Sequence, residues 1–254
     1  MSGLTCSLQT IFMRIQLFAP LAGALLFAGL LTVQTAGSPQ PVTAADLPAD
    51  VKPVLGLPFN TQASPSTWLM GQAYGNTAGA YARRREWYAG GQGIHFGIDF
   101  GAACGTPVVS VDDGVVRFAD NLAHGSAPHN LAIEHANGYV SFYGHLLERP
   151  NLAPGTQVKR GQVVGKTGDP DETCTSRPHL HLEIRDRAMS RAFNPHLLID
   201  ADWDALQLAG GFGRGFQRNL DNPRQWQTVR DQPDIQFGGV LINEYPRGWP
   251  QDWR

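Results

Sequence analysis

Between residues 57 and 200, apolar and polar side chains alternate mainly with the two-residue period of half-buried strands. The cleanest case is HLHLEIR, His179 to Arg185. There Leu180, Leu182 and Ile184 share one face, and His179, His181 and Glu183 share the other. LAIEHANGYVSFYGHL, Leu131 to Leu146, predicts two strands joined at Asn137-Gly138, a dipeptide suited to a two-residue hairpin turn. TPVVSVDDGVVRFA predicts two short strands about Asp113-Gly114, and APGTQVKRGQVVGKTG carries the glycine spacing of further tight turns. This region shows no long helical period; WDALQLA, Trp203 to Ala209, predicts one short helix. The expected fold class is mostly β, with small antiparallel sheets packed into a compact domain over residues 57–200.

GIHFGIDFG, Gly93 to Gly101, breaks the pattern. His95 and Asp99 would share a helix face, but each of three glycines would cost a helix interior roughly 1 kcal/mol. The alternation of Ile94, Phe96, Ile98 and Phe100 also favours a strand. On a flat strand His95 and Asp99 would stand about 13 Å apart, too far to share an ion. Gly97 supplies a place to bend. Taken alone, the segment fits either a metal site or a glycine-rich turn with a half-buried histidine.

The ends of the chain differ from its middle. Arg14 is the only charged side chain in the first 36 residues, and an apolar run spans Ile15 to Val33. That segment, 1–36, is expected to be either a cleaved secretory signal or an uncleaved membrane anchor, and both imply export to the periplasm, cell envelope or medium. Residues 37–56, rich in Pro, Ala, Ser and Thr, are expected to form a linker. Residues 201–254 form a C-terminal extension holding Trp203, Trp226, Trp249 and Trp253, expected to dock by packing or to contact glycan. Over the 254 residues, 20 Lys+Arg against 22 Asp+Glu give a net charge of −2 and argue against a nucleic-acid partner. The triplet Arg83-Arg84-Arg85 is expected in a solvated loop. Cys104 and Cys174 would sit in an oxidising compartment, where a disulfide is the default.

A strand face with two histidines at alternate positions suits a shared metal or a polar substrate. Tyr143-Gly144-His145, at the end of the hairpin, adds a third imidazole. In order along the chain, GIHFGIDFGAACGTPVVSVDDGVV, EHANGYVSFYGHL, VKRGQVVGKTG and RPHLHLEIRD resemble the lysostaphin-type, LytM-like zinc endopeptidases, which cut peptide bonds in bacterial peptidoglycan. The resemblance covers residues 57–200. It implies one Zn2+ per chain held by His95, Asp99 and His181, with His145 and His179 serving catalysis. Three protein ligands leave a fourth zinc position for water, as catalytic sites require. The resemblance also brings the segments after Asp99 and before His179 together, which places Cys104 near Cys174. The loop GDPDETCTSRPHLH departs from the small, glycine-rich loop usual before H-x-H.

The remaining histidines have ordinary expectations: His135 structural, His124 and His129 bordering a loop beside the groove, His196 near the domain end. Glu183 is expected to orient a histidine or to form a surface ion pair. The leading functional expectation is an exported zinc metalloendopeptidase acting on peptidoglycan cross-links or stem peptides. The alternatives are a non-catalytic wall-binding or hydrolase-activating module of the same fold, and a protease of non-wall proteins. Retention of all five positions favours the enzyme. The apolar N-terminal segment leaves membrane anchoring open, and the sequence does not fix an oligomeric state.

Overall fold

The computed structural model describes residues 53–209, 217–218, 222 and 225–244. The expected signal or anchor over 1–36, most of the expected linker, and the tryptophans at 249 and 253 lie outside the described residues. Among the described residues no helix is long and apolar enough to cross a membrane.

Thirteen strands are described: β1 (Trp68–Met70), β2 (Ile98–Ala102), β3 (Pro107–Val109), β4 (Gly114–Ala119), β5 (His129–His135), β6 (Val140–Leu146), β7 (Gln157–Val158), β8 (Val163–Lys166), β9 (His179–Arg185), β10 (Arg191–Phe193), β11 (Gln217–Arg218), β12 (Trp226–Gln227) and β13 (Ile235–Gln236). Helices are short: α1 (Ala78–Ala82), α2 (Pro195–Leu198) and α3 (Trp203–Ala209). Nine strands form one sheet in the order β1-β2-β9-β6-β5-β4-β7, with β10 and β13 continuing from β9. The strand pairs within it are antiparallel. Two-stranded sheets β3-β8 and β11-β12 stand apart. The expectation of small packed sheets is thus corrected to one large sheet with small companions. The long antiparallel partners β2, β9, β6 and β5 build its middle and are buried along most of their length.

The β5–β6 hairpin turns through the three residues Ala136-Asn137-Gly138 rather than the two expected: Gly138 N–H donates to His135 O at 3.1 Å, His135 N–H donates to Tyr139 O at 2.9 Å, and Gly138 takes a φ of +92°. The main core lies on one face of the large sheet. Ile98, Phe100, Leu131, Ile133, Tyr143, Leu180, Leu182 and Ile184 pack there against Val108 and Val164 from the β3-β8 sheet. Trp68 stacks on Phe59 at 5.0 Å and meets Phe100 edge-on at 5.6 Å. A smaller cluster, Ala132, Val140, Phe142 and Met189, is distinct from this core. Burying a leucine-sized side chain contributes roughly 1.5–3 kcal/mol, so the Leu180-Leu182-Ile184 face anchors β9 in the centre of the domain.

Packing runs past both of the boundaries expected from sequence. Leu55, placed in the linker, is fully buried and bridges Ile199. Its neighbour Gly56 donates to Val111 O at 2.8 Å. At the other end Trp203, Leu206, Val229 and Ile235 join the main core, and β13 pairs with β10.

Cys104 and Cys174 form a disulfide with Cα atoms 5.8 Å apart, closing a separation of 70 residues. In the chain-entropy picture a loop of that size gains about 4 kcal/mol. Thiol alkylation of the folded protein before reduction is expected to label neither cysteine, as read by peptide mass. Labelling of both in folded protein would contradict the pairing. Chemical reduction is expected to lower the urea midpoint clearly and, by releasing a loop of 70 residues in the unfolded chain, to raise the slope.

Candidate metal centre

The site is built on the face of β9 opposite the leucines, as the alternation predicts. Antiparallel pairing of β2 with β9 sets Asp99 directly across from His181 and Gly101 across from His179. On the other side of β9, Gly144 of β6 lies opposite His181. His95 lies before β2, bridged to Gly75, and the chain bends at Gly97 between them. The bend closes the gap that a straight strand would leave: His95 Nε2 reaches within 3.2 Å of Asp99 Oδ1. Gly97 is required by close approach, because a Cβ there would meet His181 Cε1 and the Leu182 carbonyl at 2.7 Å.

Three donor atoms converge. His181 Nδ1 is 2.7 Å from Asp99 Oδ1 and 3.2 Å from His95 Nε2. Among the described residues His95, Asp99 and His181 are the group of histidine, cysteine and acidic side chains arranged to share an ion. All three are buried, at 1%, 7% and 4% exposure. His95 Nδ1 donates to Ala73 O at 2.8 Å, which leaves its Nε2 as a lone pair aimed at the cluster. Buried acceptor atoms facing one another at this range demand a cation. Ligand atoms about 2.0–2.1 Å from a tetrahedral zinc lie about 3.3 Å apart, which matches the two spacings from His95 Nε2, 3.2 Å each, while His181 Nδ1 and Asp99 Oδ1 stand closer at 2.7 Å; two imidazoles with a carboxylate are a zinc donor set. The residues present therefore fit the metal.

The electrostatics favour positive charge there. Burial alone would raise the Asp99 carboxyl, but the imidazoles of His95, His179 and His181 outweigh it and hold it well below the usual range. Burial opposes protonation of His181, yet Asp99 and Glu183 overcome it and push the imidazole up to about 9. Glu183 is fully buried, its Oε1 3.3 Å from His181 Nε2. Arg185 grips the same carboxylate through Nε at 2.7 Å and Nη2 at 2.9 Å. The guanidinium is itself held between Phe142 and Phe237, 4.3 Å from each ring centroid. Of the two expectations for Glu183, orientation of a histidine fits and a surface ion pair does not.

His145 and His179 adjoin the cluster without joining it. Their rings are 4.8 Å apart, and His179 Nε2 is 3.7 Å from Asp99 Oδ1. His179 Nδ1 donates to Arg177 O at 2.7 Å, and His145 Nδ1 donates to Ala127 O. Each imidazole so presents Nε2 to the space beside the donors. Burial, reinforced by charge on His181 and His179, pushes the His145 imidazole down to about 3. His145 takes a φ of +55° where β6 ends, a left-handed conformation costing on the order of 1–3 kcal/mol that turns its side chain to the site. The loop 124–129 closes over this end. Ser126 O accepts from His145 N at 3.1 Å, and a Cβ on Gly144 would stand 2.4 Å from Ser126 Cβ.

The other predicted histidines fall outside the centre. His135 is consumed by Asp113 O at 2.9 Å and Ser141 Oγ at 2.8 Å. His129 pairs with Asp120, His124 stacks on Phe118, and His196 is buried against Trp203. Sequence reasoning missed Tyr88, whose ring meets His95 edge-on at 5.5 Å, and the carbonyls of Ala73 and Ala127. Main-chain carbonyls leave no residue-type signal. The Arg triplet is partnered: Arg83 by Glu86, Arg84 and Arg85 by Glu244.

Gly97→Ala is expected to displace the His181 ring and weaken metal binding at least about tenfold while the chain still folds. Titration with a competing chelator, beside a circular dichroism spectrum, checks it; unchanged affinity would mean that the close approach is not essential.

Residues 93–195 match Peptidase family M23. A 90-residue stretch is 38% identical to the peptidoglycan DD-endopeptidase ShyA of Vibrio cholerae, covering 35% of this chain and 20% of that protein. The DD-carboxypeptidase/endopeptidase Mpg of Neisseria meningitidis is 39% identical over 93 residues, 36% of this chain and 20% of Mpg. Lysostaphin of Staphylococcus staphylolyticus is 33% identical over 91 residues, 36% of this chain and 18% of lysostaphin. The chain thus spans about a fifth of the length of these curated relatives. Among solved structures, the catalytic domain of the prophage-encoded M23 protein EnpA from Enterococcus faecalis aligns with 27% identity over 54% of this chain and 95% of that one, at a TM-score of 0.42. Residues 93–195 thus form a Peptidase family M23 domain, mostly antiparallel β, in which the His95-Asp99-His181 donor triad is intact.

Proposed function

We propose that this chain is an exported zinc metalloendopeptidase that hydrolyses peptide bonds of peptidoglycan. The observation that carries the reading is the separation of five convergent residues into two sets: three buried donors facing one point, and two imidazoles beside them tied by main-chain carbonyls. The relatives named as peptidoglycan endopeptidases support the substrate class.

His95 Nε2, Asp99 Oδ1 and His181 Nδ1 would hold the zinc. When bound, zinc supplies a Lewis acid that polarises a carbonyl and brings the pKa of water towards neutrality. The chain's own groups do the rest. His145 and His179, each with Nδ1 committed to a carbonyl, keep Nε2 available to take a proton from the attacking water or, once protonated, to donate to the developing oxyanion. Glu183 and Arg185 hold the His181 ring, so its Nδ1 does not have to reorganise during turnover. A groove of about 470 Å3 adjoins it, lined by Leu69, Asp99, Gly101 and His179 among others, a volume in the range of ligand-binding clefts.

In this reading residues 1–36 direct export as a signal or anchor, 57–200 form the catalytic domain with Leu55 packed into it, and 201–254 are a C-terminal extension of which Trp203, Leu206, Val229 and Ile235 pack into the same core. A disulfide beside the site accords with an extracytoplasmic location.

The purified chain is expected to release peptide fragments from sacculi, and chelator is expected to abolish release until zinc is restored. No release by zinc-loaded protein would favour the non-catalytic wall-binding alternative. His145→Ala and His179→Ala are each expected to retain one zinc by elemental analysis while losing on the order of a hundredfold or more in rate. Asp99→Ala is expected to lose the metal. Full zinc occupancy in Asp99→Ala, or wild-type cleavage by either histidine variant, would overturn the assignment of roles.

A further inference from the structure

The floor of the groove is one row of the sheet. Leu69 of β1 pairs with Gly101 of β2, and Gly101 pairs with His179 of β9. The metal donors Asp99 and His181 form the pair two positions along. One wall is the segment Ser176 to Pro178, part of the acidic loop that departs from the family pattern. Arg177 sits in that wall, two residues before His179.

Arg177 has two separate attachments. Its backbone is fixed: its N–H donates to buried Asp169 at 3.3 Å, and its carbonyl accepts from His179 Nδ1. Its guanidinium lies 5.0 Å from the ring centroid of Trp87, which is 55% exposed. Trp87 comes from the opposite flank, adjoining Tyr88, whose ring packs on His95. The Arg177 side chain therefore joins the segment leading into β9 to the segment that packs on His95.

The surrounding charges single it out. Arg83, on the same indole at 4.9 Å, is paired with Glu86, and Arg84 and Arg85 are paired with Glu244. Among the described residues the Arg177 guanidinium has neither a carboxylate partner nor a hydrogen-bond acceptor, only the indole. A planar fork of five N–H donors, uncompensated and parked on an aromatic face beside a peptide groove, is matched to a carboxylate. Asp171 and Glu172 in the same loop disfavour a dianion such as phosphate. The disulfide from Cys174 to Cys104 ties this wall to the segment after β2, so the fork is positioned before substrate arrives.

We propose that Arg177, supported by Trp87, is a carboxylate-binding subsite, and that the preferred substrates are peptides carrying a free carboxylate next to the scissile amide. The inference rests on the peptidase reading above and narrows its substrate class.

The test uses the zinc-loaded full chain and an acetylated D-alanyl-D-alanine peptide, ending either in a carboxylate or in a carboxamide. Calorimetry gives affinity for each, and mass spectrometry follows cleavage of each and of sacculi. Wild type is expected to bind the acid at least about tenfold more tightly than the amide, as befits a charge-assisted fork. Arg177→Gln is expected to remove that preference and leave the amide's affinity unchanged. Arg177→Lys restores part of it, and Trp87→Ala reduces it. Equal binding of acid and amide by wild type, or an equal loss for both peptides in Arg177→Gln, overturns the subsite. If neither peptide nor sacculi is cut, while the Arg177-dependent acid preference remains, the peptidase reading fails and the subsite stands. If sacculi are cut but the preference is absent, the subsite alone fails.

Discussion

The site depends on the register of one strand pair. Antiparallel pairing of β2 and β9 places Asp99 opposite His181. A slip of one residue would turn the histidines and Asp99 into the core and the leucines outward. The hydrophobic face of β9 makes that slip costly: Leu180, Leu182 and Ile184 are fully buried. Core packing and metal geometry are thus set by the same pairing. Gly97 adds the third donor by letting His95 fold back over the pair, where a larger residue would strike the His181 ring.

Around these donors, each imidazole is aimed by a group that costs the sequence no conspicuous residue. The carbonyls of Ala73, Ala127 and Arg177 hold Nδ1 of His95, His145 and His179. His181 is the exception, because its Nδ1 faces the cluster and its other nitrogen faces Glu183. A buried carboxylate there needs its own partner, and Arg185 supplies it from the same strand. The alternation of β9 thereby carries a ligand, its supporting carboxylate and that carboxylate's counter-ion on one face. The disulfide then ties the loop leading into β9 to the segment leaving β2, next to the ligands of both.

Local periodicity made several of these features legible. HLHLEIR has a strict alternation, Asn137-Gly138 marks the hairpin of β5 and β6, and the glycines of GIHFGIDFG exclude a helix and allow a bend. Alternation says which side chains share a face but not which strands become neighbours. The order β1-β2-β9-β6-β5-β4-β7, and with it the merging of expected small sheets into one, comes from long-range pairing. Leu55 and Trp203 show the same limit: each sits in a short segment of unremarkable pattern, and only the packed core reveals that it belongs inside. Arg177 could be noticed as an unusual residue before the His-x-His pair, but its reach to Trp87 joins positions 90 residues apart in sequence.

The central claim is that three side chains offer two imidazole nitrogens and one carboxylate oxygen to one zinc, leaving a position for water. X-ray absorption at the zinc edge of the loaded protein tests it most directly. The account predicts four nitrogen or oxygen neighbours at about 2.0–2.1 Å, with the outer-shell scattering of two imidazoles. Sulfur scattering at about 2.3 Å, or scattering from four imidazoles, would contradict it.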